Sequence, residues 1–144
     1  MAKNKFLKKV IIIDTSVLIK PFLNEPGSEK VLELFKLAAE KKLSLLSPKL
    51  MVFEFLNVLC KNIKDPAKVK AAYQDFEDTE IGILDIDIDN LHEAIEISCS
   101  DKQISFYDAS YHALAKQFNG IFLTADKKYF DLMKKKGNIE LLKV

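Results

Sequence analysis

The chain has 144 residues, 49% of them hydrophobic and 30% charged, which fits one folded domain over residues 1–144 and excludes a wholly disordered chain. Its net charge of +1 excludes a strong overall positive field of the kind that marks many nucleic-acid-binding proteins. The two cysteines lack zinc-ligand spacing, and the basic start precedes only four apolar residues before Asp14, so we expect reduced core thiols in a cytoplasmic protein without a membrane span.

The hydrophobic pattern along the chain predicts strands that alternate with helices. The first strand is a β-branched run over residues 8–13, which is typical of a central parallel strand buried on both faces. A short helix over residues 15–23, which Pro21 should disturb, and a turn over residues 24–28 come next. The remaining predicted elements are helix 28–42, strand 43–47, helices 49–64 and 67–78, strand 81–87, helices 90–102 and 106–118, strand 121–124, helix 125–136 and strand 138–144.

This order of elements predicts a three-layer α/β/α fold with a mostly parallel sheet of about five strands. A chain that returns to a parallel neighbouring strand crosses over through a helix, and such crossovers are right-handed. In sheets of this kind, ligands bind at the carboxyl ends of the strands. We therefore look for functional residues just after each predicted strand.

Two aspartates follow predicted strands. Asp14 comes directly after the first strand and Asp126 comes two residues after a later one, so both are expected at the same edge of the sheet. Each could instead cap the next helix, a role that Thr15, Ser16 and Thr124 could share. Taken singly, neither aspartate distinguishes a helix cap from a functional site.

Glu54 lies in a predicted helix, residues 49–64, that is apolar nearly all round. On a helical wheel Glu54, Asn57 and Lys61 form one narrow polar stripe, because they are spaced at i, i+3 and i+7. The stripe could be a narrow solvent-exposed face of the helix that carries a Glu–Lys pair. An ordinary surface helix has a wider polar face, so we favour a stripe that lines a cleft.

Asp108 stands at the start of a predicted helix. Ser105 and Asp108 fit the S-x-x-D capping pattern, so a purely structural role competes with a functional one. His112 lies one turn later on the same face of this helix. A single histidine among alanines and tyrosines is more often packed or on the surface, so His112 is left out of the predicted site.

Four carboxylates at one edge of a sheet would repel one another unless a divalent cation neutralised them. Oxygen ligands without a histidine cluster suit Mg²⁺ or Mn²⁺. Such an ion lowers the pKa of a bound water, aligns it for in-line attack and stabilises the charge that develops on a phosphoryl group. The acids therefore favour phosphodiester chemistry.

Three segments together resemble the PIN domain family, and within it the VapC-type toxins of toxin-antitoxin pairs. The segments are residues 11–31, 46–59 and 104–133, which stand in the order and approximate spacing of the family. The resemblance implies a PIN fold in which four acids are both catalytic residues and ligands of Mg²⁺ or Mn²⁺: Asp14, Glu54, Asp108 and Asp126. It also implies three supporting residues, which are Ser16, Asn57 and Thr124.

The resemblance further implies an endoribonuclease, the toxin of a type II toxin-antitoxin pair, that acts on RNA. It implies a homodimer with two acidic grooves side by side and a small antitoxin protein that covers the site. Two alternatives stay open, a housekeeping PIN nuclease of RNA processing or decay and an inactive PIN-like module that binds RNA or protein.

Helix 67–76, Phe53 and Leu56 are candidate dimer or antitoxin contacts, although burial in the core is the simpler expectation. The RNA target stays open, because Pro21, Phe22 and the lack of arginine depart from the commonest family pattern.

Overall fold

The computed structural model of the protein describes residues 9–144. Its strands are β1 (Lys9–Ile13), β2 (Leu43–Pro48), β3 (Ile81–Leu84), β4 (Ile121–Thr124) and β5 (Ile139–Leu141). Its helices are α1 (Thr15–Leu23), α2 (Ser28–Ala39), α3 (Leu50–Ile63), α4 (Pro66–Glu77), α5 (Ile88–Cys99), α6 (Phe106–Gln117) and α7 (Lys127–Met133), and α7 continues as one 3₁₀ turn (Lys134–Lys136). None of these helices has the length and apolarity that a membrane crossing requires. Most of the basic start of the chain, residues 1–9, lies outside the described residues, as does the first residue of the predicted strand 8–13.

The five strands pair in parallel, in the order β3-β2-β1-β4-β5. The chain moves outward from β1 to β3, crosses back to β4 and then moves outward to β5 on the other side. Because the crossovers are right-handed, helices α1–α4 cover one face of the sheet and α5–α7 cover the other. The prediction of a three-layer α/β/α fold with a mostly parallel sheet of about five strands is confirmed.

Each face of the sheet packs against its own aromatic cluster. Phe55 of α3 contacts Phe22 and Phe76, with ring centroids 5.0 and 5.1 Å away. On the opposite face Tyr111 of α6 stacks on Phe122 of β4 at 5.8 Å. The last three residues of β1 are buried between the two clusters. The prediction of a central strand buried on both faces is therefore confirmed.

Some element ends differ from the predicted ones. Pro21 does not end α1, which continues to Leu23. A proline removes only its own N–H, and few residues of this short helix follow it. The strand predicted over residues 81–87 ends three residues early. There Asp87 caps α5 instead, and its Oδ1 accepts a hydrogen bond from the Asn90 N–H at 2.8 Å.

Both cysteines are free but exposed, so the prediction of core thiols is wrong. Cys60 follows the buried Leu59 on α3, and Cys99 comes two residues after the buried Ile97 on α5. Apolar neighbours along the sequence indicate a helix that packs against a core. Only the position of a residue around the helix decides whether that residue faces the core.

Candidate active site

The candidate active site lies at the carboxyl ends of the neighbouring strands β1 and β4. The chain leaves these strands in opposite directions, and a crevice opens at such a point in an α/β sheet. The turns after the two strands carry Asp14 and Asp126 to this crevice, and α3 and α6 bring Glu54 and Asp108. One cavity of about 150 Å³ is lined by all four acids together with Thr15, Ser16 and Tyr111. The structure thus brings together the four acids that the sequence singles out.

Asp14 is the most buried of the four acids, at 7% exposed. Its Oδ1 accepts hydrogen bonds from the Ser16 hydroxyl at 2.5 Å and the Val17 N–H at 3.2 Å. Its Oδ2 accepts one from the Thr124 hydroxyl at 2.7 Å. Burial raises the pKa of Asp14 from 3.8 to about 6 against the effect of these donors, and the charge of Asp108 adds to the rise. A nearby cation would therefore favour ionisation of Asp14.

Ser16 and Thr124 connect Asp14 to the turn that carries Asp126. The Ser16 hydroxyl oxygen accepts a hydrogen bond from the Ala125 N–H at 3.0 Å. The Thr124 hydroxyl oxygen accepts one from the Asp126 N–H at 3.1 Å. Each hydroxyl thus donates to Asp14 and accepts from the backbone of the β4–α7 turn. The two side chains hold both strand-end acids in one hydrogen-bond network.

Glu54 is half-buried on α3 and accepts a hydrogen bond from the hydroxyl of Tyr111 on α6. Burial raises the pKa of Glu54, the Tyr111 donor lowers it and the charge of Asp108 raises it. Burial, and then the bond to Glu54, raise the pKa of Tyr111, so the phenol keeps its proton. Tyr111 is not among the site residues predicted from the sequence. Its position three residues after Asp108, on the same helix face, is the signal that could have found it.

Asp108 and Asp126 both lie at helix starts. Ser105 caps α6, because its hydroxyl accepts a hydrogen bond from the Asp108 N–H at 3.0 Å. Burial raises the pKa of Asp108, the Ser105 hydroxyl lowers it and the charge of Asp126 raises it. Asp126 caps α7 through Oδ1, which accepts from the Tyr129 N–H at 3.0 Å. Both acids line the one cavity, where the negative charge of Asp126 opposes ionisation of Asp108.

Asn57 and His112 lie outside the cavity. Asn57 is exposed and does not line it, so only Glu54 of the predicted polar stripe enters the site. His112 is fully buried, and its ring nitrogens contact the Tyr129 hydroxyl at 3.0 Å and the Gly137 carbonyl oxygen at 2.8 Å. Burial lowers the pKa of His112, which favours the neutral imidazole. His112 is thus a packed core residue.

The donors that line the cavity match a hard divalent cation in kind. Among residues 9–144, no three His, Cys, Asp or Glu side chains stand close enough together to hold a metal ion. The cavity of about 150 Å³ has room for roughly five waters at ~30 Å³ each, and Mg²⁺ usually keeps several waters. The buried Thr15 hydroxyl lowers the pKa of Tyr111 but has no hydrogen bond of good geometry within the described residues. The space and this polar atom fit a partly hydrated cation.

A family model described as the PIN domain matches residues 11–136, and no curated protein sequence matches the chain. VapBC2 from Rickettsia felis, bound to a DNA fragment from its promoter, is similar in structure. It has a TM-score of 0.73 and 16% identity, over 93% of this chain and 99% of that chain. DNA-bound VapBC from Salmonella typhimurium has a TM-score of 0.69 and 18% identity, over 95% of this chain and 100% of that chain. Mycobacterium tuberculosis VapC20, a sarcin-ricin loop cleaving toxin, has a TM-score of 0.64 and 16% identity, over 85% of this chain and 94% of that chain.

At these sequence identities the solved structures show a shared fold. The family model is more informative, because it spans nearly the whole described chain and includes the four acids from Asp14 to Asp126. The segments that resemble the family in sequence also form the walls of the cavity. The chain therefore belongs to the PIN domain family.

Proposed function

We propose that this protein is a metal-dependent endoribonuclease, the toxin of a type II toxin-antitoxin pair. The observation that carries the proposal is the convergence of four acids from four elements on one cavity: Asp14, Glu54, Asp108 and Asp126. Burial and the charge of a neighbouring acid raise the pKa of both Asp14 and Asp108, so a cation in the cavity would favour the ionised form of each. Mg²⁺ or Mn²⁺ held there would activate a water for attack on an RNA phosphodiester and stabilise the developing negative charge.

The side chains around the acids prepare this site before an ion arrives. Ser16 and Thr124 fix the orientation of Asp14, and the cap of α7 fixes Asp126. A carboxylate has about four acceptor positions, so an acid that accepts one or two hydrogen bonds keeps others for an ion. In this proposal Ser16 and Thr124 support the metal ligands through their hydrogen bonds to Asp14, whereas Asn57 is exposed and is not among the residues that line the cavity.

RNA cleavage in the presence of Mn²⁺, with and without EDTA, tests the proposal. Asp14→Asn and Asp126→Asn should each lower the cleavage rate by about 100-fold or more, because each removes a charged ligand. Asp75→Asn is the matched control, since it makes the same change on the exposed side of α4, away from the cavity. Cleavage by Asp14→Asn at the unsubstituted rate would refute the mechanism.

The proposed antitoxin rests on the similar structures. Their names describe VapBC complexes and a toxin that cleaves the sarcin-ricin loop. By this likeness we propose that a small antitoxin covers the cavity. The sequence resemblance to the family is the ground on which we propose a homodimer, and we further propose that the chain acts in the cytoplasm. Phe53 is 69% exposed and not in the core, so it is free to contact a second copy. A small protein from an adjacent gene that blocks cleavage would support the antitoxin, and lack of such a gene would favour a housekeeping nuclease.

One observation favours a second function, an inactive PIN-like module that binds RNA or protein. Among the described residues, no three acids are grouped closely enough to hold an ion. An active nuclease needs the acids to gather around Mn²⁺, whereas a binding module does not. Calorimetry separates the two functions, because absence of Mn²⁺ binding up to millimolar concentrations would favour the module.

A further inference from the structure

We infer that Tyr111 is a positioning residue that sets the side chain of Glu54 for the ion. The inference rests on the proposed function and assigns a role to a residue outside the four acids. Glu54 differs from the strand-end acids, because no backbone N–H of the described residues donates to its side chain. Within residues 9–144, the one hydrogen bond to its side chain comes from the Tyr111 hydroxyl. The place of Glu54 in the cavity therefore depends on this tyrosine.

Tyr111 is a rigid support for this bond. It is 1% exposed, and its ring stacks on Phe122 with an angle of 10° between the ring planes. It also lies one turn after Asp108 on α6, so both residues line the same cavity. Helix α6 thus supplies Asp108 directly and places Glu54, which belongs to α3 on the other face of the sheet. A shift of α6 would move both.

The hydrogen bond leaves Glu54 available as a ligand. Tyr111 donates to Oε1, and Oε2 keeps its acceptor positions for an ion or its waters. A glutamate has three side-chain torsions, and ordering such a side chain when a ligand binds lowers the affinity. With Tyr111 in place, much of this ordering is present in the folded protein. Partners of this kind typically contribute about 10- to 100-fold to metal affinity.

Two conservative substitutions test the inference. Tyr111→Phe removes the hydroxyl and keeps the ring that stacks on Phe122. Tyr129→Phe is the matched control, because it keeps the backbone N–H that Asp126 accepts and removes a buried hydroxyl that contacts His112 at 3.0 Å and not an acid of the cavity. Calorimetry and the electron paramagnetic resonance spectrum of bound Mn²⁺ should show about 10- to 100-fold weaker binding for Tyr111→Phe, and unchanged binding for Tyr129→Phe.

A double-mutant cycle shows whether Tyr111 acts through Glu54. In a Glu54→Ala background, which removes the acceptor of the Tyr111 bond, Tyr111→Phe should add little further loss of Mn²⁺ affinity, and the urea midpoints measured in EDTA should be non-additive. Native Mn²⁺ affinity in Tyr111→Phe, or an equal loss in Tyr129→Phe, would overturn the inference. If the unsubstituted protein binds no Mn²⁺, the proposed function is refuted instead. The midpoints in EDTA test the pairing of Tyr111 with Glu54 without any ion, and additive midpoints would overturn that pairing.

Discussion

Asparagine in place of Asp14 should stabilise the metal-free protein near neutral pH, although it removes a residue of the proposed active site. The Asp14 carboxyl is 7% exposed, and burial raises its pKa from 3.8 to about 6. The folded protein therefore binds a proton at this carboxyl more tightly than the unfolded chain does. The stability from this group is fully present below pH 3.8, is lost as the pH rises to about 6 and stays lost above that.

The size of the effect follows from the shift and from the contacts of the carboxyl. A pKa that rises by about 2 units corresponds to roughly 3 kcal/mol of unfolding free energy. The side-chain oxygen of asparagine can accept the bonds that Ser16 and Val17 donate to Oδ1. The amide group faces Thr124, which must turn its hydroxyl to accept, and this exchange costs about 1 kcal/mol. We expect a net gain of about 2 kcal/mol above pH 6 and a small loss near pH 4.

Urea unfolding in EDTA, followed by circular dichroism across this pH range, measures the difference between the two proteins. The same series with Asp75→Asn controls for loss of a carboxylate at an exposed site. Addition of Mn²⁺ near neutral pH should reverse the order and favour the unsubstituted protein, because an ion stabilises only the folded state that binds it. If Asp14→Asn is the less stable protein above pH 6 in EDTA, or if the difference does not change with pH, the reasoning about Asp14 is wrong.

Other contacts of the fold give further expected outcomes. Thr124→Val should lower the unfolding free energy by about 1–3 kcal/mol near neutral pH, because Asp14 loses a donor, and Thr124→Ser should recover most of the loss in the same urea assay. His112→Ala should cost about 3 kcal/mol through lost packing and unpaired polar groups, with Mn²⁺ affinity by calorimetry unchanged at temperatures where the variant is folded. Gly120→Ala should destabilise by more than about 2 kcal/mol, since its Cβ would lie 2.5 Å from the Val10 carbonyl oxygen and push β1 from β4. A urea midpoint close to that of the unsubstituted protein would contradict this last expectation.

The strand-end acids were predictable because two local rules locate them. A buried β-branched run predicts a central parallel strand, and the carboxyl ends of parallel strands meet at one edge of the sheet. Asp14 and Asp126 follow such runs, so their approach needed no knowledge of side-chain packing. The strand order was less accessible, because it depends on which way each crossover moves. That β1 and β4 are neighbours, with the crevice between them, became known only from the structure.

Helix α6 shows why the sequence could suggest the position of Tyr111, one turn after Asp108, but not its contact with Glu54. Seven consecutive residues of α6, 109–115, are all buried, so this part of the helix has no polar stripe that marks one face. Tyr111 and His112 are adjacent in this run, yet Tyr111 donates to Glu54 in the cavity and His112 contacts Tyr129 in the core. In a helix that is buried all round, apolar residues do not recur with the 3.6-residue period that distinguishes a core face from an exposed face in the sequence. Which of its polar side chains reaches the site is then decided by tertiary packing.

Helix capping and metal binding are compatible roles for the same carboxylate, although the sequence presents them as alternatives. Asp14 and Asp126 do cap α1 and α7, each through Oδ1 and a backbone N–H three residues later. Each cap fixes the side chain in one orientation and leaves other acceptor positions free. The positive end of the helix dipole also stabilises the negative charge, which offsets part of the repulsion among the acids before an ion binds. A carboxylate that caps a helix after a strand can therefore also serve as a metal ligand, and the capping geometry at Asp14 and Asp126 is compatible with the proposed metal site.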